Sequence, residues 1–165
     1  MLVLGIDPGT ATTGYGLIEE TENKELKVVD YGVILTRPDE LPERRLQLIY
    51  SSIKELILLH HPDHGAVEKL FFQKNVTNAL AVGQARGVVL LAMAECGIPV
   101  AEYSPQEVKQ SVTGYGAAEK RQIQLMVQIL LNLKEMPKPD DASDALAIAV
   151  CHIHSIGYQK LIPGL

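Results

Sequence analysis

The chain has 165 residues, 47% of them hydrophobic and 21% charged, with a formal net charge of −5. That supports one ordinary domain, residues 1–165, with a real core; no stretch is apolar enough to span a membrane, and the start lacks a basic and apolar leader, so a cytoplasmic protein is expected. Cys96 and Cys151 show no CxxC or Cys/His spacing and read as small core residues rather than as a disulfide or zinc framework.

In chain order, residues 2–6, 14–19 and 26–36 are rich in Val, Ile, Leu and Tyr, with turns at Pro8-Gly9 and Glu22-Asn23. They read as three strands. Pro42 opens a helix with Leu46, Ile49, Ile53, Leu56 and Ile57 at helical spacing, ending near His60-His61-Pro62. A strand is predicted over 65–69 and a helix from Asn75 to Cys96, stopped by Gly97 and Pro99. Residues 99–103 follow as a strand, then a short helix from Pro105 to Val112. Gly114-Tyr115-Gly116 reads as a loop, and two helices, Ala117 to Leu133 and Asp141 to about Ser155, complete the chain. A three-strand meander followed by alternating helix and strand predicts an α/β fold, a mixed sheet flanked by helices in the ribonuclease H-like layout.

Four carboxylates carry the chemistry. Asp7 closes the run Leu2-Val3-Leu4-Gly5-Ile6, Glu68 closes Gly65-Ala66-Val67, and Asp141 and Asp144 open the last helix after Pro137-Lys138-Pro139. Acids at the ends of buried elements are costly unless a cation meets them. Carboxylate oxygens suit Mg²⁺, with Mn²⁺ as an alternative. The spacing of Asp141 and Asp144 also suits a helix cap, and three-residue separation places both on one helix face, where they can share an ion. His60, His61 and His64 read as surface residues at a helix end. His152 and His154, late in the last helix, read as structural.

The charge is unevenly spread. Residues 1–68 hold 12 acids and 6 bases, whereas residues 69–121 hold 4 acids and 6 bases, a modest signal for a nucleic-acid partner. Phe71 and Phe72, the two phenylalanines, precede Lys74; aromatic rings beside basic groups suit base stacking. Lys109, Lys120 and Arg121 bracket the Gly114–Gly116 loop and are candidates for phosphate contact.

These residues resemble a known family, the RuvC-type Holliday junction resolvases. The similarity spans Leu4 to about Ser155 and includes Gly5-Ile6-Asp7-Pro8-Gly9, Thr13-Gly14-Tyr15-Gly16, Val67-Glu68, Gly83-Gln84-Ala85-Arg86-Gly87, Val108-Lys109-Gln110, Ala118-Glu119-Lys120 and Asp144-Ala145-Leu146-Ala147-Ile148-Ala149. The resemblance implies that Asp7, Glu68, Asp141 and Asp144 are catalytic and bind two metal ions. It also implies that Phe71 approaches bases at the junction centre and that Lys109 and Lys120 contact DNA. It further implies a bacterial enzyme making paired cuts across a four-way DNA junction, leaving 5′-phosphate and 3′-hydroxyl ends, in concert with RuvA and RuvB.

A related nuclease acting on RNA or other branched DNA is the alternative. An actin-like phosphotransferase would need two related domains, which a chain this short does not hold. Matched cuts in two strands predict a homodimer, expected through the helix from Asn75 to Cys96, with Val89 on its outward face.

Overall fold

The computed structural model describes residues 1–69 and 76–161. Period-two alternation in the first strand sets the layers. In β1 (Leu2–Asp7), Leu4 and Ile6 enter one core while Val3 enters another, so Gly5 and Asp7 share the face of Val3. β2 (Thr12–Glu20) runs antiparallel to β1, with Gly16 opposite Gly5 and Gly14 opposite Asp7. β3 (Leu26–Leu35) runs antiparallel to β2.

α1 (Pro42–His60) then crosses over, and β4 (His64–Glu68) lies parallel to β1 with Val67 opposite Ile6. α2 (Val76–Glu95) leads to β5 (Val100–Tyr103), parallel to β4, giving the order β3-β2-β1-β4-β5. This is the expected ribonuclease H-like mixed sheet.

On one face Leu4, Ile6, Leu17 and Val67 pack against Ile49 and Ile53 of α1 and Val89 and Met93 of α2. The other face is covered by α3 (Pro105–Thr113), α4 (Lys120–Leu130) and α5 (Asp140–Leu161), through Val108, Val112, Ile123, Val127 and Leu146. Each layer removes an apolar helix stripe from water.

α5 lies unusually close to the strands. A Cβ on Gly5 would stand 2.2 Å from the Ala145 carbonyl oxygen, one on Gly14 2.0 Å from that of Asp141, and one on Gly16 2.8 Å from Leu146 Cδ2. Glycine is required here by close approach. The three form a track on which the first turns of α5 rest.

Several boundaries differ from expectation. α4 begins at Lys120 rather than Ala117, because Glu119 is its N-cap and donates its backbone N–H to the Gln122 side chain at 2.8 Å. It ends before Asn132, which takes a left-handed φ of 49°. α5 continues six residues past Ser155. Val89, expected to face outward, is fully buried in the α1–α2 core; the outward stripe of α2 is instead Leu80, Gln84, Gly87, Leu91 and Ala94. Of the histidines read as surface residues, His61 is exposed at the C-cap of α1, whereas His60 and His64 are only partly exposed. His60 Nε2 lies 3.6 Å from Asp30 Oδ2, and His64 opens β4 with its ring 5.1 Å from that of His152.

Candidate active site

β1 and β4 are adjacent and parallel, so their C-terminal residues Asp7 and Glu68 are neighbours at one edge of the sheet. The same alternation aims both at α5, because Val3 and Ala66, on their faces, belong to the α5 core. The glycine track delivers the start of α5 to this edge, with the Asp141 carbonyl against Gly14, the residue opposite Asp7. Asp144 follows one turn later. Four acids from three elements thereby lie toward one edge of the sheet, close enough for Glu68, Asp144 and Asp141 to act on the charge of Asp7.

Their electrostatics record that gathering. Asp7 is pushed up to about 7, first by burial and then by the charges of Glu68, Asp144 and Asp141, with Lys120 opposing. Glu68 is raised by burial and by Asp144 against the pull of Lys109, and Asp144 is raised by burial against Lys120. Carboxylates that repel one another in a desolvated edge suit a hard divalent cation, whose charge reverses each of these shifts. Among the described residues no three acidic side chains stand close enough, as placed, to enclose an ion. Asp144 is instead turned onto Lys120.

Lys120, the first residue of α4, places Nζ 3.2 Å from Asp144 Oδ2 and 3.1 Å from Asp140 Oδ2. Burial would lower its pKa, but these bonds raise it. The same contact lowers Asp140, chiefly by hydrogen bonding to Lys120. The resemblance implies a DNA contact for Lys120; in the structure it is a counter-ion to Asp140 and Asp144. Glu68, Lys109, Lys120 and Asp144 line one pocket with Val108, Ile123, Ala147 and Ile148. Arg121 is exposed beside Lys120 in the first turn of α4. Phe71, Phe72 and Lys74 lie outside the described residues.

Two supporting residues escaped sequence reasoning. Arg86 of α2 bonds the Glu68 carbonyl through Nε at 3.4 Å and pairs with Glu102 of β5 at 2.5 Å, tying the end of β4 to its neighbours. Asp140 precedes the expected helix start yet shares Lys120 with Asp144. Arg86 stands within the Gly83–Gly87 motif, which gave it no role, and the only signal for Asp140 was its place beside Asp141.

Comparison with known proteins decides the family. The family described as "Crossover junction endodeoxyribonuclease RuvC" matches residues 3–152. The chain belongs to that family. A relative of that name from Desulfitobacterium hafniense (strain DSM 10664 / DCB-2) is 58% identical, covering 99% of each chain. Another, from Moorella thermoacetica (strain ATCC 39073 / JCM 9320), is 59% identical over 92% of this chain and 90% of its own. The solved structure of T. thermophilus RuvC in complex with Holliday junction substrate superposes with a TM-score of 0.90, at 38% identity and 94% coverage of each chain. The family places an endodeoxyribonuclease on this fold.

Proposed function

We infer that this protein is a crossover junction endodeoxyribonuclease that resolves four-way DNA junctions by paired phosphodiester hydrolysis, in recombination and repair. Two further observations accompany family membership: the gathering of Asp7, Glu68, Asp141 and Asp144 at one sheet edge, and the raised pKa of Asp7 that this gathering produces.

Asp7, Glu68, Asp141 and Asp144 would hold Mg²⁺, or Mn²⁺ in its place, at two ions per site. A divalent ion there supplies Lewis-acid charge that polarises the scissile phosphate and acidifies the attacking water. The acids supply the ligands and fix their position through three rigid elements. Lys109 and Lys120 add positive charge on the α3–α4 side, where backbone phosphates are attracted. Arg121 extends that surface, and Phe71, Phe72 and Lys74 are assigned to contacts with bases and backbone. No side-chain nucleophile is needed.

A homodimer follows from the requirement for two matched cuts. The exposed stripe of α2 supports it: Leu80 and Leu91 are 68% and 51% exposed, and a Cβ on Gly87 would meet nothing within 4 Å of its own chain, so another backbone can approach there. The cellular setting is the bacterial cytoplasm, alongside RuvA and RuvB.

The test compares Mg²⁺-dependent cleavage of a four-way junction, a linear duplex and structured RNA. Junction cleavage in symmetric pairs is expected; equal cleavage of duplex or RNA would favour the alternative nuclease. Leu91→Glu should give folded monomers that nick without pairing their cuts, and sedimentation showing an intact dimer would remove α2 from the interface.

A further inference from the structure

We propose that Thr36 and Arg45 form a positioning clamp that sets the placement of the Asp7 carboxylate. The proposal rests on the reading of Asp7 as a metal ligand.

Asp7 is the last residue of β1, so its side chain inherits its position from the turn Pro8–Ala11 that follows. That turn is tight: a Cβ on Gly9 would stand 2.3 Å from the Thr12 carbonyl oxygen. Three successive carbonyls of the turn each receive a donor. Gly9 O accepts from Thr13 Oγ1 at 2.6 Å, Thr10 O from Thr36 Oγ1 at 2.5 Å, and Ala11 O from the Thr36 backbone N–H at 3.1 Å. Two of these three donors belong to Thr36.

Thr36 lies just past the end of β3 and is 8% exposed. Its hydroxyl has one proton to give. Arg45 Nε donates to Thr36 Oγ1 at 2.7 Å, occupying a lone pair and leaving the Thr36 proton directed at Thr10. The guanidinium therefore orients the hydroxyl, and the hydroxyl holds the turn. Arg45 is itself fixed in the first turns of α1, donating its backbone N–H to Leu41 O at 3.1 Å. The β1–β2 turn, the end of β3 and the start of α1 are joined through one buried hydroxyl. Arg45 acts through Thr36 and is a positioning residue; ligand geometry set in this way is sensitive to small displacements.

The experiment uses Thr36→Val, which keeps shape and removes the hydroxyl, Thr36→Ser, which restores it, and Arg45→Met. Three quantities are read on the full chain: Mn²⁺ affinity by electron paramagnetic resonance without DNA, junction affinity in Ca²⁺, and single-turnover junction cleavage in Mg²⁺. Thr36→Val and Arg45→Met should each weaken Mn²⁺ binding and slow cleavage by about tenfold or more, with junction affinity changed less than about twofold and Thr36→Ser close to wild type. If Thr36→Val does not fold, Arg45→Met alone carries the same expectation.

Mn²⁺ affinity unchanged in Arg45→Met overturns the clamp. So does an Arg45→Met defect confined to junction affinity, which would make Arg45 a phosphate contact. A wild type that cleaves duplex as readily as junction would overturn the functional reading while the Mn²⁺ measurement still judges the clamp.

Discussion

The two faces of the sheet are built from alternate residues of the same strands yet serve opposite ends. Toward α1 and α2, Leu4, Ile6, Leu17 and Val67 meet aliphatic side chains in a sealed layer. Toward α5, the register that carries Val3 and Ala66 ends in Asp7 and Glu68, and glycines replace bulk so that a helix bearing two more acids can lie against the strands. One face maximises apolar burial. The other gives up side-chain volume and accepts charge repulsion to assemble a site, a cost concentrated at functional positions.

The largest way to break this contrast is to remove charge from the active face. Asp7→Asn should lower junction cleavage by about 10³-fold, about 4 kcal/mol of barrier, while raising the metal-free melting temperature, because a repelled carboxylate is gone. Cleavage at near wild-type rates in a folded variant would refute the site.

Acidity sharpens the comparison next. Asp7 titrates near 7 in the fold, against 3.8 as a free side chain. Between these values the folded state binds the extra proton, so its contribution to stability is present at low pH and is lost as pH rises through about 7. Across that range the loss is about 2–4 kcal/mol. Glu68 and Asp144 act in the same direction. His152 opposes them: burial, and then His64, lower it to about 4 from 6.5, so its contribution is lost as pH falls. The wild-type minus Asp7→Asn difference in urea stability, measured in chelator at pH 4.5 and 7.5, isolates the acid. It should fall with rising pH, and added Mg²⁺ should reverse the fall at pH 7.5. A flat difference would show that Asp7 is not desolvated.

The glycine track comes third. Gly14→Ala should cost about 1–3 kcal/mol by denaturant unfolding, since its Cβ would press on α5 backbone, and it should reduce cleavage beyond that loss by displacing Asp141. Gly157→Ala, where an added Cβ on α5 would meet nothing within 4 Å, should cost nothing and through helix propensity should stabilise by up to about 1 kcal/mol. Equal effects at the two positions would remove close approach as the reason for Gly14.

The smallest effect concerns the basic margin. Lys109→Ala should weaken junction binding and reduce the slope of log affinity against log salt by about 1. An unchanged slope would confine Lys109 to tuning Glu68.

What the sequence determined by itself was the periodicity and the chemistry. Alternation in residues 2–6, helical spacing after Pro42, and acids closing apolar runs are local patterns, so the strands, most helices and all four acids were legible along the chain. The helix starts were less so, because Glu119 could be recognised as a cap only once its bond to Gln122 was visible. Which residues of α2 face outward was misread at Val89, since an apolar helix carries little asymmetry to orient it.

Tertiary structure alone decided the approach of α5 to Gly5, Gly14 and Gly16, the diversion of Lys120 to Asp140 and Asp144, and the bonds from Thr36 and Arg86. Each of these joins residues far apart in sequence. Their pairing depends on which strands become neighbours and how closely a helix can rest on them, and a one-dimensional pattern holds no record of that distance.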